Sequence, residues 1–188
     1  SGLYVARHNP FVHFESIVSN PSRCGRIVPF SQFGADLSAN DLANFVWITP
    51  NLCSYMHYCS VATGDAWLAS VIPQILQSPA FARSVLFLVW DEGTTTIGGG
   101  GNIPFVVASP WTPAGTTVHT AMNHYSLLRT IEEAWSLAPL GQSAAAEALA
   151  SFFTPTSGAP TDQVIHARDV TTTAGDWSRV SDSTAADG

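Results

Sequence analysis

Residues Phe87–Pro110 read FLVWDEGTTTIGGGGNIPFVVASP, and this stretch decides how the chain is organised. Two apolar runs, Val85–Trp90 and Ile103–Ser109, predict buried strands. The first has no polar alternation, which predicts a strand covered on both faces in a parallel or mixed sheet. It stops on two adjacent acids, Asp91 and Glu92, and a glycine run, Gly98–Gly101, follows.

Outward from this pair, strands alternate with helices. Phe45–Pro50 predicts a strand stopped by Pro50. Ser31–Phe45 predicts a short helix and turn, and Gly64–Leu76 a helix with an apolar face, kinked or cut short at Pro73. Asn123–Leu137 predicts an amphipathic helix carrying Leu128, Ile131 and Trp135 on one side. Ser143–Phe153 predicts another. The alternation indicates an α/β fold, a layered sheet with helices on both faces. Residues 1–153 form the domain, and 154–188, rich in Ser, Thr and Ala, read as an extended tail.

In an open α/β sheet ligands bind beyond the carboxyl ends of the strands. Asp91 and Glu92 stand at such an end. Neighbouring carboxylates repel, and a divalent cation such as Mn²⁺, Mg²⁺, Ca²⁺ or Zn²⁺ relieves that repulsion. The competing reading is that the two acids open a solvated loop. Three histidines sit at element boundaries: His8 in ARHNPF, His57 in CSYMHYC and His124 in NHYSLL. His13, His119 and His166 lack such context. The glycine run fits neither the P-loop nor the dinucleotide-binding pattern, and G-x-S-x-G is absent.

Composition narrows the partners. The 188 residues carry a net charge of −7 with seven Lys and Arg, which disfavours a sequence-independent grip on nucleic acid. No apolar stretch approaches the roughly 20 residues of a transmembrane segment. Cys53 and Cys59, flanking the His57 motif, have the spacing of a small disulfide loop in an oxidising compartment. Three buried thiols, with Cys24 the third, are the alternative.

Taken in order, ARHNPF, ITPNLCSYMHYC, GDAWL, LVWDEG, GGGGNIPFVVASP and NHYSLLRTIEEAW resemble the phosphoesterase family of bacterial and fungal acid phosphatases and phospholipases C, within the alkaline phosphatase superfamily. The resemblance covers roughly Leu3 to Phe153. It implies the C-terminal part of an alkaline-phosphatase-like fold in a secreted or cell-surface hydrolase of phosphate esters or phospholipids. It implies that Asp91 and Glu92 ligate a divalent metal ion. It also implies that His8 and His57 hold phosphate oxygens and assist the leaving group, and that His124 is a recurrent site histidine. The family's nucleophile and early metal ligands lie upstream of the matching region. The expectation is therefore an N-terminal segment of the same precursor as partner, without which this chain is inactive. Two departures stand out. Tyr55 and Tyr58 occupy positions where the family often carries acids, and Asn102-Ile103-Pro104 stands where it often reads His-Val-Pro. A non-catalytic binding relative on the same scaffold is the alternative function. In a protein resembling secreted enzymes, the Cys53–Cys59 pairing is the expected state.

Overall fold

A computed structural model describes residues 2–153 and 179–181. The chain is of mixed helix and strand, as the α/β pattern predicts, and divides into two compact units. The first comprises the described residues through Phe81 together with Arg179–Ser181, and the second begins at Ala82.

The first unit opens with 3-10 turns at Ala6–His8 and Pro10–His13, then two single-turn helices, α1 (Glu15–Val18) and α2 (Pro21–Cys24). Strand β1 (Ile27–Val28) leads into helix α3 (Phe30–Ala39). Asn40 ends α3 by turning left-handed, φ 53°, with its N–H and that of Asp41 donating to the last carbonyls of the helix. Strand β2 (Val46–Ile48) precedes the site loop, and helix α4 (Val61–Leu76) follows it. α4 starts three residues before the sequence pattern suggests, because the Ser60 hydroxyl accepts from the Thr63 N–H and caps it. It does not stop at Pro73, which lies in the last turn, where only one ladder bond is lost. The core sits between α3 and α4: Phe33, Leu37 and Val71 are buried, with Phe30, Trp67, Val46, Ile48 and Ile75 packed around them.

The second unit contains β3 (Leu86–Val89), β4 (Phe105–Ala108) and helix α5 (His124–Ala134). β3 pairs with β4 antiparallel, Leu86 opposite Ala108 and Val89 opposite Phe105. The parallel or mixed neighbourhood expected for β3 is therefore not what the described residues show. Its side chains are only half-buried, and the apolar run reflects aromatic pairing such as Phe87 on Phe105, centroids 6.0 Å apart. The helix expected at Ser143–Phe153 is instead two 3-10 segments, Gly141–Ala145 and Leu149–Phe152. The cause is tertiary. The buried carboxylate of Glu132 in α5 accepts from the Leu140 N–H (2.9 Å) and the Ser143 hydroxyl (2.6 Å), and Thr130 Oγ1 accepts from the Leu149 N–H (2.8 Å). These bonds fix the backbone in an arrangement a continuous helix cannot adopt.

Of the tail, all but Arg179–Ser181 lies outside the described residues. That piece is strand β5, which lies between β1 and β2 and pairs parallel with both.

Candidate active site

His8 closes the first 3-10 turn, and the next residue anchors it. Asn9 is 1% exposed; its Oδ1 accepts from the Phe11 N–H (3.2 Å) and its amide donates to the Tyr4 hydroxyl (3.4 Å). The backbone carbonyl of His8 accepts from Thr49 Oγ1 (3.2 Å), which in turn accepts from the Trp47 indole N–H (2.8 Å). β2 thus pins the turn that carries His8.

His57 rides on the loop between β2 and α4. Asn51 Oδ1 accepts from the N–H groups of Cys53 and Ser54, both 3.0 Å, turning the chain out of the strand. The Leu52 carbonyl accepts from the N–H groups of His57 (3.1 Å) and Tyr58 (3.0 Å), and Leu52 itself is buried. Met56 takes a left-handed φ of 73° at the apex. Cys53 and Cys59 are joined as a disulfide, Cα atoms 4.7 Å apart, so the pairing is present. Cys24 is a free thiol. Gly64, buried in α4, lets this loop sit close, since a Cβ there would collide with the Met56 side chain and lie 2.9 Å from the Ser54 carbonyl oxygen.

These two supports bring together rings that are far apart in sequence. Nδ1 of His8 lies 2.5 Å from the hydroxyl of Tyr55, 47 residues away. The ring centroids of His8 and His57 are 6.1 Å apart, those of Tyr55 and His57 6.0 Å, and those of His57 and Tyr58 5.1 Å. His8 is half-buried, whereas His57 and Tyr58 are exposed. Ring nitrogens and phenol hydroxyls are hydrogen-bonding groups suited to an anion's oxygens.

The acids form a second locus. Asp91 and Glu92 follow β3, and both are exposed. The loop after them folds back through a Gly93 N–H to Gly100 carbonyl bond of 2.6 Å. Gly98 to Gly101 all have positive φ, a run that side-chain-bearing residues would strain. His124, first residue of α5, donates its Nε2–H to the Asp91 carbonyl at 2.7 Å. Asn123 caps that helix, accepting from Tyr125 and Ser126 N–H groups, so the histidine's backbone is fixed. Sequence reading gave His8 and His57 a shared role and His124 no partner; the structure sets His8 beside His57 and His124 against the Asp91 carbonyl. Sequence reading missed Tyr55 as a partner of His8. The signal was the tyrosine standing in a motif position where an acid is usual.

Carboxylate oxygens suit a hard divalent cation, which takes about six ligands or more. Among the described residues no group of three His, Cys, Asp or Glu side chains gathers to hold one. Asp91 and Glu92 thus fit in chemistry and fall short in number.

Trp47 is partly exposed and meets Phe11 edge-on, centroids 6.3 Å apart, while Trp90 and Trp111 are half-buried. Among the described residues no helix is long and apolar enough to cross a membrane.

Comparison with known proteins agrees with the family resemblance. The chain is 31% identical over 142 residues to the phosphate-repressible acid phosphatase of Penicillium chrysogenum, covering 74% of this chain and 34% of that protein. It is 30% identical to an acid phosphatase of Aspergillus fumigatus, covering 74% and 32%. It is also 30% identical over 141 residues to a phosphatidylinositol-3-phosphatase of Mycobacterium tuberculosis, covering 75% and 44%. The chain spans about a third of the length of these fungal relatives. No solved structure matches it. The model of the Phosphoesterase family matches residues 1–138, and the chain belongs to that family.

Proposed function

We propose that this chain is part of a metal-dependent hydrolase that releases phosphate from phosphate esters. The observation that carries the reading is the approach of His8, on its 3-10 turn, to His57, on the loop closed by the Cys53–Cys59 disulfide, centroids 6.1 Å apart. Family membership gives that approach its chemistry. In this reading His8 and His57 donate hydrogen bonds to phosphate oxygens, where charge-assisted bonds are strongest. The more exposed imidazole, His57, passes a proton to the departing oxygen as a general acid. Asp91 and Glu92 contribute two carboxylates to a divalent metal site whose other ligands come from elsewhere in the whole protein. When bound, such an ion neutralises phosphate charge. His124 holds the Asp91 backbone.

The relatives' names, acid phosphatase and phosphatidylinositol-3-phosphatase, both describe release of phosphate, which favours that reaction over phospholipase C cleavage. The disulfide supports a secreted or cell-surface location, since such bonds persist in oxidising compartments. The test is metal content and release of phosphate from a chromogenic monoester by the whole protein and by Asp91→Asn. Loss of a direct ligand is expected to exceed the roughly 10–100-fold cost of losing an outer-shell partner. Full metal and full activity in Asp91→Asn would overturn the assignment.

A further inference from the structure

Tyr55 is a neutral hydroxyl set against a histidine, and its chemistry differs from that of an acid in the same place. A carboxylate only accepts hydrogen bonds, so a carboxylate facing Nδ1 obliges that nitrogen to carry the proton. A phenol both donates and accepts. Its O–H keeps its proton to about pH 10, while imidazolium gives up its proton near 6.5. A phenol is the stronger acid and a neutral imidazole the stronger base, so a neutral pair of this kind is best arranged with the O–H pointing at the lone pair of the ring. Nδ1 and the hydroxyl are within hydrogen-bonding reach of each other.

Both partners are also held by bonds other than the one between them. Thr49 and the buried Asn9 fix the turn that carries His8. The disulfide and the two bonds to the Leu52 carbonyl fix the loop that carries Tyr55. The histidine and tyrosine rings meet edge-on, 68° between planes, which aims the hydroxyl at the ring's rim rather than its face. Among the described residues His57 lies beside both rings, and Tyr58 lies against His57.

We infer that Tyr55 is a positioning residue: its hydroxyl donates to Nδ1 of His8 and holds that ring as the neutral Nε2–H tautomer, a hydrogen-bond donor toward an anionic substrate. The inference rests on the phosphate-holding role proposed for His8. It divides the work between the two histidines. His8 grips and does not act as a base, because its basic nitrogen is occupied by the phenol. Proton transfer falls to His57.

The test is ¹⁵N spectroscopy of the imidazole rings in the full 188-residue chain, at a pH above imidazole titration and below that of phenol. The expected spectrum of the unaltered chain shows a pyridine-type Nδ1 and a pyrrole-type Nε2 for His8. Tyr55→Phe, which keeps the ring, should shift His8 to a tautomer mixture and weaken binding of inorganic phosphate by about fivefold, the value of one ordinary hydrogen bond. Tyr55→Asp should reverse the tautomer and place the proton on Nδ1. A pyrrole-type Nδ1 in the unaltered chain overturns the inference without any variant, and so do His8 signals that Tyr55→Phe leaves unmoved. If the tautomer is as expected but phosphate moves neither the His8 nor the His57 signals, the positioning role stands and the phosphate-holding role fails.

Discussion

Nε2 of His124 donates a hydrogen bond of 2.7 Å to the backbone carbonyl oxygen of Asp91, tying the first residue of a helix to the end of a strand 33 positions earlier. The bond holds the peptide that presents the two acids and leaves their carboxylates outward. His124→Phe should therefore loosen residues 91–102 without unfolding the unit. Amide hydrogen exchange in that segment is expected to rise about fivefold, the population change that one lost hydrogen bond allows. Unchanged exchange there would mean that the glycine turns alone hold the loop.

Reduction of the Cys53–Cys59 bond, or Cys53→Ser with Cys59→Ser, should lower stability by about 2 kcal/mol, as expected for so short a closed loop. Thermal denaturation with and without reductant measures this. Phosphate binding should weaken alongside, because the loop carries both Tyr55 and His57.

Gly64→Ala should cost about 1–3 kcal/mol, the range for overpacking. The new methyl group meets the Met56 side chain and the Ser54 carbonyl. Met56→Ala in the same chain should recover part of that loss, since it clears the side-chain half of the clash and leaves the backbone half. A double-mutant cycle by urea denaturation gives the coupling.

Glu132→Ala should be the most damaging of these changes, about 2–4 kcal/mol. It removes the acceptor shared by the Leu140 N–H and the Ser143 hydroxyl, leaving them only their bonds to each other's residue and a cavity in a site where Glu132 is 2% and Ser143 0% exposed. Ser143→Ala should cost less, about 1–2 kcal/mol, because the Leu140 N–H still reaches the carboxylate. Chemical denaturation of both variants orders them.

These residues also mark what sequence could and could not disclose. The strands at Val46–Ile48, Leu86–Val89 and Phe105–Ala108 lie inside the apolar runs that announced them, because short apolar segments between turn residues have few other uses. Ser143–Phe153 reads as helix from its alanines, and local preference gave way to three hydrogen bonds from α5 that no window around residue 148 contains. The site divides in the same way. His8 and His57 could be singled out because each lies in a recognisable motif at an element boundary. The bond between His8 and Tyr55 could not, since a contact across 47 residues is written in the fold and not in the spacing.

Strand β5 has a consequence for how the polypeptide is made. It fills the gap between β1 and β2, both of which leave the ribosome more than a hundred residues earlier. Until residues 179–181 emerge, at about 5–20 residues per second, those two strands wait with open edges toward each other. The first unit therefore completes its sheet after the whole of the second has been synthesised. Such long-range pairing slows folding and leaves unpaired backbone within reach of other nascent chains. Timing, and not only contact, is built into the order of the strands.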